Sequence, residues 1–123
     1  MNKWDVVLLS FPFTDLSATK VRPAVVVSPD NYNQTSQDAV VILITTNTSR
    51  RSAFDLLLEK SHPEFLQTWL RYDSAIRIDK VFTLNKRLVV KALGRFGPQL
   101  RGETERQLRL FFQLPGDQLA LKI

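Results

Sequence analysis

The sequence predicts a mainly β (β+α) fold, a small barrel or roll with one helix packed on it. Three observations predict it. Short apolar runs rich in Val and Ile recur along most of the chain, separated by clusters of Pro, Asn, Asp, Ser and Thr. One amphipathic stretch follows, opened by Pro98 and closed by Pro115-Gly116. The chain has 123 residues, 44% of them hydrophobic, which suits one domain over 1–123 with one core.

Taken in order, Asp5–Phe11 is an apolar, β-branched run that ends at Pro12. Residues 14–20 are small and polar and read as a loop. Residues 21–28 form the next strand, with Pro23 near its start, where a missing N–H is tolerated. Residues 29–33 read as a turn, residues 39–45 as a buried strand and residues 46–52 as a polar loop with two cations. Residues 54–58 read as another strand. Ser61-His62-Pro63-Glu64 resembles a capping box, so a short helix is expected from there to about residue 68. Residues 74–79, 81–84 and 88–96 read as three further strands. Leu100, Leu108, Phe111 and Phe112 then fall near helical spacing, with Gly102 as a weak point. Trp69, Leu70 and this stripe are expected to serve barrel and helix packing, with a dimer seam or an antitoxin groove as the alternative for part of them, and residues 115–123 form a tail.

The chain has no cysteine and one histidine. Disulfides, thiolate zinc sites and cysteine nucleophiles are excluded, and so is a pair of histidines acting as acid and base. Lack of disulfides suits a reducing, cytoplasmic location. The longest apolar run near the N-terminus covers residues 6–9, far too short to span a bilayer. The net charge is +5, and it is unevenly spread. Residues 1–79 hold eight Lys/Arg and nine Asp/Glu, whereas residues 80–123 hold nine and three. This asymmetry suits a polyanionic partner such as nucleic acid, an anionic membrane or an acidic protein. A solvated surface that keeps the chain soluble would read the same way.

Five segments together resemble the MazF/PemK toxins. They are Asp5-Val6-Val7-Leu8-Leu9 with Phe11-Pro12-Phe13-Thr14; Arg22-Pro23-Ala24-Val25-Val26-Val27-Ser28-Pro29 with Tyr32-Asn33; Val40-Val41-Ile42-Leu43-Ile44-Thr45-Thr46; residues 74–84; and Leu93-Gly94-Arg95-Phe96 before the last helix. The likeness spans about residues 4–114. It implies an SH3-like barrel with a C-terminal helix, and a cytoplasmic homodimer. It also implies a toxin of a type II toxin–antitoxin system that cuts single-stranded RNA without a metal or cofactor and is restrained by a cognate antitoxin. A toxin of the same fold that poisons a protein such as DNA gyrase is a second reading. Such proteins act through C-terminal residues including a Trp, and this chain ends without one. A non-catalytic RNA-binding barrel is a third.

RNA cleavage without a metal uses the substrate's own 2′-OH. It needs a proton acceptor, a proton donor for the leaving 5′-oxygen, and groups that stabilise the phosphorane charge. Arg22 matches the family's catalytic Arg; its guanidinium suits a bidentate phosphate clamp, and a surface ion pair is the alternative. Thr45 matches the catalytic Thr; its hydroxyl could donate to a phosphate oxygen, or it could serve strand propensity alone. Arg77 and Asp79 lie two apart on a predicted strand and resemble an acid–base pair of the PemK branch. A structural salt bridge would fit them equally. Ser17 stands in a loop where PemK-type members can carry a His. Lys20, Arg50 and Arg51 suit phosphate contacts, as do Thr46 and Asn47 beside the proposed site. Phe13 could stack on a base; Phe11 reads as core. His62 reads as decoration of a helix start.

Overall fold

Val-rich runs become strands because branched side chains fill a pleated, half-buried surface well. Strand β1 (Asp5–Phe11) pairs antiparallel with β2 (Lys20–Val26) in unbroken register, from Val6 opposite Val25 to Phe11 opposite Lys20. The computed structural model describes residues 1–11, 20–49 and 52–116. Phe13, Ser17, Arg50, Arg51 and most of the expected tail lie outside the described residues.

Four more strands follow: β3 (Asp38–Thr45), β4 (Leu56–Leu58), β5 (Ser74–Asn85) and β6 (Val89–Arg95). They form one six-stranded sheet in the order β4-β5-β3-β2-β1-β6. The sheet is not closed, and β4 and β6 are its two edges. Successive side chains along a strand point to opposite faces, so the sheet builds two apolar clusters. Val6, Val25, Ile42, Ile44, Ile76 and Ile78 form the first, with Phe65, Phe96 and Leu100 laid over them. Val7, Leu9, Phe11, Ala24, Val26 and Val41 form the second, joined by Phe82, Leu84, Leu88 and Val89. Burying each of these larger side chains contributes about 1.5–3 kcal/mol.

Several elements depart from expectation. The expected turn at residues 29–33 is the start of helix α1 (Asp30–Thr35). Its Asn33 is buried; it accepts a hydrogen bond from the Ser28 hydroxyl and donates Nδ2–H to the Ser28 carbonyl at 2.9 Å. Those bonds hold a turn-forming sequence in a helix. Helix α2 (Phe65–Thr68) starts later than the capping box suggests. Glu64 does not serve that box. Its carboxylate accepts the N–H groups of Gln99 at 3.0 Å and Leu100 at 2.7 Å, in the first turn of helix α3 (Pro98–Phe112). A carboxylate there meets free N–H groups and the positive end of the helix dipole. The helix runs straight through the exposed Gly102.

The two strands expected at residues 74–79 and 81–84 are one bent strand, β5. Ile44 of β3 faces Ile76, yet Ile42 faces Val81, so β5 carries three extra residues at the bend. Leu100 is buried and Leu108 and Phe111 pack on the first cluster, but Phe112 is half exposed. Trp69 is not packed inside; it is 72% exposed.

Candidate functional site at the sheet rim

Arg22 is the third residue of β2, opposite Leu9 of β1. Pro23 follows and has no N–H to give to a ladder. Pairing between β2 and β3 is established from Ala24 opposite Leu43 onward. Continued two residues outward, that register sets Arg22 opposite Thr45, the last residue of β3. Directly opposed residues in an antiparallel pair share a face. Continued in that way, the register would put Arg22 and Thr45 at the unladdered rim, on the face of Leu9 and Ala24.

The local bonding suits each side chain for an anion. Thr45 Oγ1 accepts the Asn47 N–H at 3.1 Å, which orients the hydroxyl and leaves its proton available to donate. Arg22 is half-buried, and among the described residues nothing ion-pairs with its guanidinium. Asn47 Oδ1 accepts both the backbone N–H and the hydroxyl of Ser49, which folds this loop, and among the described residues nothing accepts from the Asn47 amide nitrogen. Thr46 is exposed beside them, and Lys20 is exposed at the start of β2.

Arg77 and Asp79 sit on the neighbouring strand, in the bend of β5, where Ala75, two residues before Arg77, faces Thr45. Arg77 Nη2 lies 3.6 Å from Asp79 Oδ1. A closer carboxylate belongs to Asp55, whose Oδ2 is 2.7 Å from Arg77 Nε with the N–H directed off the oxygen, an ion pair more than a hydrogen bond. The Asp55 side chain is fully buried. It also accepts the N–H of Ile78 at 2.8 Å and of Ser52 at 3.0 Å. Asp55 thus ties the loop before β4 to the bend that presents Arg77 and Asp79. The sequence carried a signal for it: one acidic residue inside the apolar run Phe54-Asp55-Leu56-Leu57-Leu58. Asp55 shifts Arg77 toward a structural duty and leaves Asp79, partly exposed, the freer carboxylate of the cluster.

His62 is accounted for by packing. Its Nδ1 accepts the Glu64 N–H at 3.0 Å, so Nε2 bears the proton of the neutral ring and donates to Glu103 Oε1 at 2.9 Å. Among the described residues no group of three or more His, Asp and Glu side chains is placed to hold a metal ion. No helix among them is long and apolar enough to cross a membrane.

A sheet with α2 and α3 on one face, and at its rim an arginine without an ion-pair partner among the described residues, in line with a threonine of the next strand, defines a small β protein equipped to meet an anion. The chain belongs to the PemK-like, MazF-like toxins of type II toxin–antitoxin systems, whose family model matches residues 2–112. No curated protein sequence matches it. Solved structures do. MazE-MazF from Deinococcus radiodurans is 19% identical with a TM-score of 0.74, covering 94% of this chain and 97% of the other. An endoribonuclease in complex with its cognate antitoxin, from a mycobacterial species, is 20% identical with a TM-score of 0.72, covering 94% and 98%. The Mycobacterium tuberculosis toxin MazF-mt6 is 15% identical with a TM-score of 0.72, covering 91% and 99%. At these identities the likeness is one of fold, and it agrees with the expected MazF-like architecture.

Proposed function

We propose that this toxin is an endoribonuclease that cuts single-stranded RNA, such as mRNA, without a metal ion. The observation that carries the reading is the β2–β3 register, which continued outward sets Arg22, without an ion-pair partner among the described residues, opposite Thr45. The Arg22 guanidinium grips the scissile phosphate and offsets the charge that grows on it. The Thr45 hydroxyl donates to a phosphate oxygen. Asp79, held near Arg77, accepts the 2′-OH proton. The 2′-oxygen bonds to phosphorus, the P–O5′ bond breaks and the 5′-oxygen takes up a proton from solvent water. The products are a 2′,3′-cyclic phosphate and a 5′-hydroxyl. Lys20, Thr46 and Asn47 position the strand, and Phe13, Ser17, Arg50 and Arg51 belong to the same proposal. Two of the similar structures are complexes with an antitoxin, which supports a cognate antitoxin as the restraining partner. A single domain, a homodimer and a cytoplasmic location complete the reading.

The test is incubation of purified protein with unstructured RNA in EDTA, with the product ends identified by mass spectrometry. Cleavage leaving cyclic phosphate ends is expected. Arg22→Ala should lower the rate by orders of magnitude while the far-UV spectrum and urea midpoint stay put. A requirement for magnesium would refute the mechanism, and near-normal cutting by Arg22→Ala would remove Arg22 from the site.

A further inference from the structure

A cavity of about 300 Å³ opens beside the rim, on the face opposite Arg22. Its floor is apolar, formed by Leu8, Pro23 and Leu93, and Trp69 and Tyr72 stand at its mouth. These rings are 72% and 59% exposed, unusually open for large aromatic side chains. Trp69 holds a left-handed backbone at φ 59°, a conformation that bulky residues adopt rarely. Its ring lies against Gly94 of β6, where a Cβ would come within 2.8 Å of Trp69 Cδ1. The indole is thus set in place on one side and bare on the other. A second cavity of about 500 Å³ shares Trp69, Leu70 and Arg71 and adds Leu66, so Trp69 borders both.

The surrounding charge decides what such a place would hold. Arg71 and Lys91 line the first cavity, with Thr46 and Ser74 as its polar groups, and no carboxylate is among the described residues that line it. Exposed aromatic rings flanked by cations, Tyr72 with Lys60 Nζ 5.7 Å from its ring centre, suit a stacked base with its phosphate nearby. The position agrees. Pro23 is bonded to Arg22 and Thr46 to Thr45, so the cavity wall and the proposed phosphate site use neighbouring rim residues on opposite faces of the sheet, and an RNA strand passing over the rim would meet both. The volume lies at the low end for ligand sites, enough for one planar group.

We propose that this cavity is a base-binding subsite, in which Trp69 and Tyr72 stack on one unpaired nucleobase of the RNA strand whose phosphate lies on Arg22 and Thr45. The proposal rests on the reading of the chain as a ribonuclease. Lys91 and Arg71 meet the phosphates on either side of that base.

The experiment is a cycle between protein and RNA changes. The probe is a short RNA with a 2′-deoxy residue at the cut position, so that it binds without being cleaved. A single abasic nucleotide is moved along it. In the unaltered protein one position near the cut should weaken binding by about 5- to 100-fold, the range for loss of one stacked base. Trp69→Ala and Tyr72→Ala, both at exposed positions, should lose similar affinity for the intact RNA. In those variants the abasic penalty should vanish. Penalties that persist unchanged in both variants would overturn the subsite, as would wild-type affinity in both. So would a change in oligomeric state for Trp69→Ala with the penalty intact, which would make the patch a contact between copies. If the unaltered protein cuts RNA but the cycle is additive, the subsite alone fails. If it neither binds nor cuts RNA, the ribonuclease reading fails with it.

Discussion

Asp55 offers the sharpest test of how the bend in β5 is held. Replacing it with Ala removes a fully buried carboxylate that accepts two backbone N–H groups and faces Arg77 Nε at 2.7 Å. The Ile78 N–H would be left buried and unpaired, which costs about 1–3 kcal/mol. The Arg77 guanidinium, 20% exposed, would lose its nearest counter-charge. Breaking a buried pair from one side costs about 3–5 kcal/mol in total. With a urea dependence of roughly 1–3 kcal/mol per molar, the unfolding midpoint of Asp55→Ala should fall by about 1 M or more. Arg77→Leu should also destabilise, and the double variant should lose clearly less than the two losses added, because they remove one interaction. Urea unfolding followed by the fluorescence of buried Trp4 reads all three. A loss under about 1 kcal/mol for Asp55→Ala, or strict additivity, would refute the view that Asp55 anchors Arg77.

Three further changes follow from the packing. Gly102→Ala places a methyl group on an exposed helix interior where nothing lies within 4 Å, so a gain of about 0.5–1 kcal/mol is expected in thermal unfolding. Gly94→Ala would put a Cβ 2.1 Å from the Gln67 carbonyl oxygen; a loss of about 1–3 kcal/mol is expected, with α2 displaced from β6 as seen in amide exchange. Glu64→Ala removes both acceptors at the start of α3, and a loss of about 1–3 kcal/mol should appear with earlier exchange of the Gln99 and Leu100 amides.

Strand positions were legible because local composition and burial agree there. The run Asp5–Phe11 is β1 as read, and Pro98 opens α3 as read. The misreadings fall where a distant group decides. Residues 30–35 became a helix because the buried Ser28–Asn33 bonds favour it over an open turn. The capping box failed because Glu64 found better donors in α3 than in its own segment. Trp69 looked like core because hydropathy does not report whether a left-handed turn will point a ring outward. The near-continuous apolar runs follow from the topology: one open sheet builds an apolar cluster on each face, so its strands need not alternate.

The same topology bears on a tension in the sequence, where the positive charge is concentrated after residue 79 but Arg22 and Thr45 lie before it. Sequence distance is a poor guide because β6 pairs with β1, not with its predecessor β5. Lys91 faces Leu8, and Leu8 faces Pro23, so a cation of the basic half stands two strands from the residue after Arg22. Only part of the charge is used this way. Arg109 lies 3.9 Å from Glu105 on α3, an exposed pair worth little, and Arg101 donates to the Phe96 carbonyl. Lys91 is a cation of that half whose position ties it to the rim. Its replacement by Ala should weaken RNA binding and reduce the salt dependence by about one phosphate contact, whereas Arg109→Ala should change neither. Equal effects from the two would mean that net charge, and not the placement made by β6, governs binding.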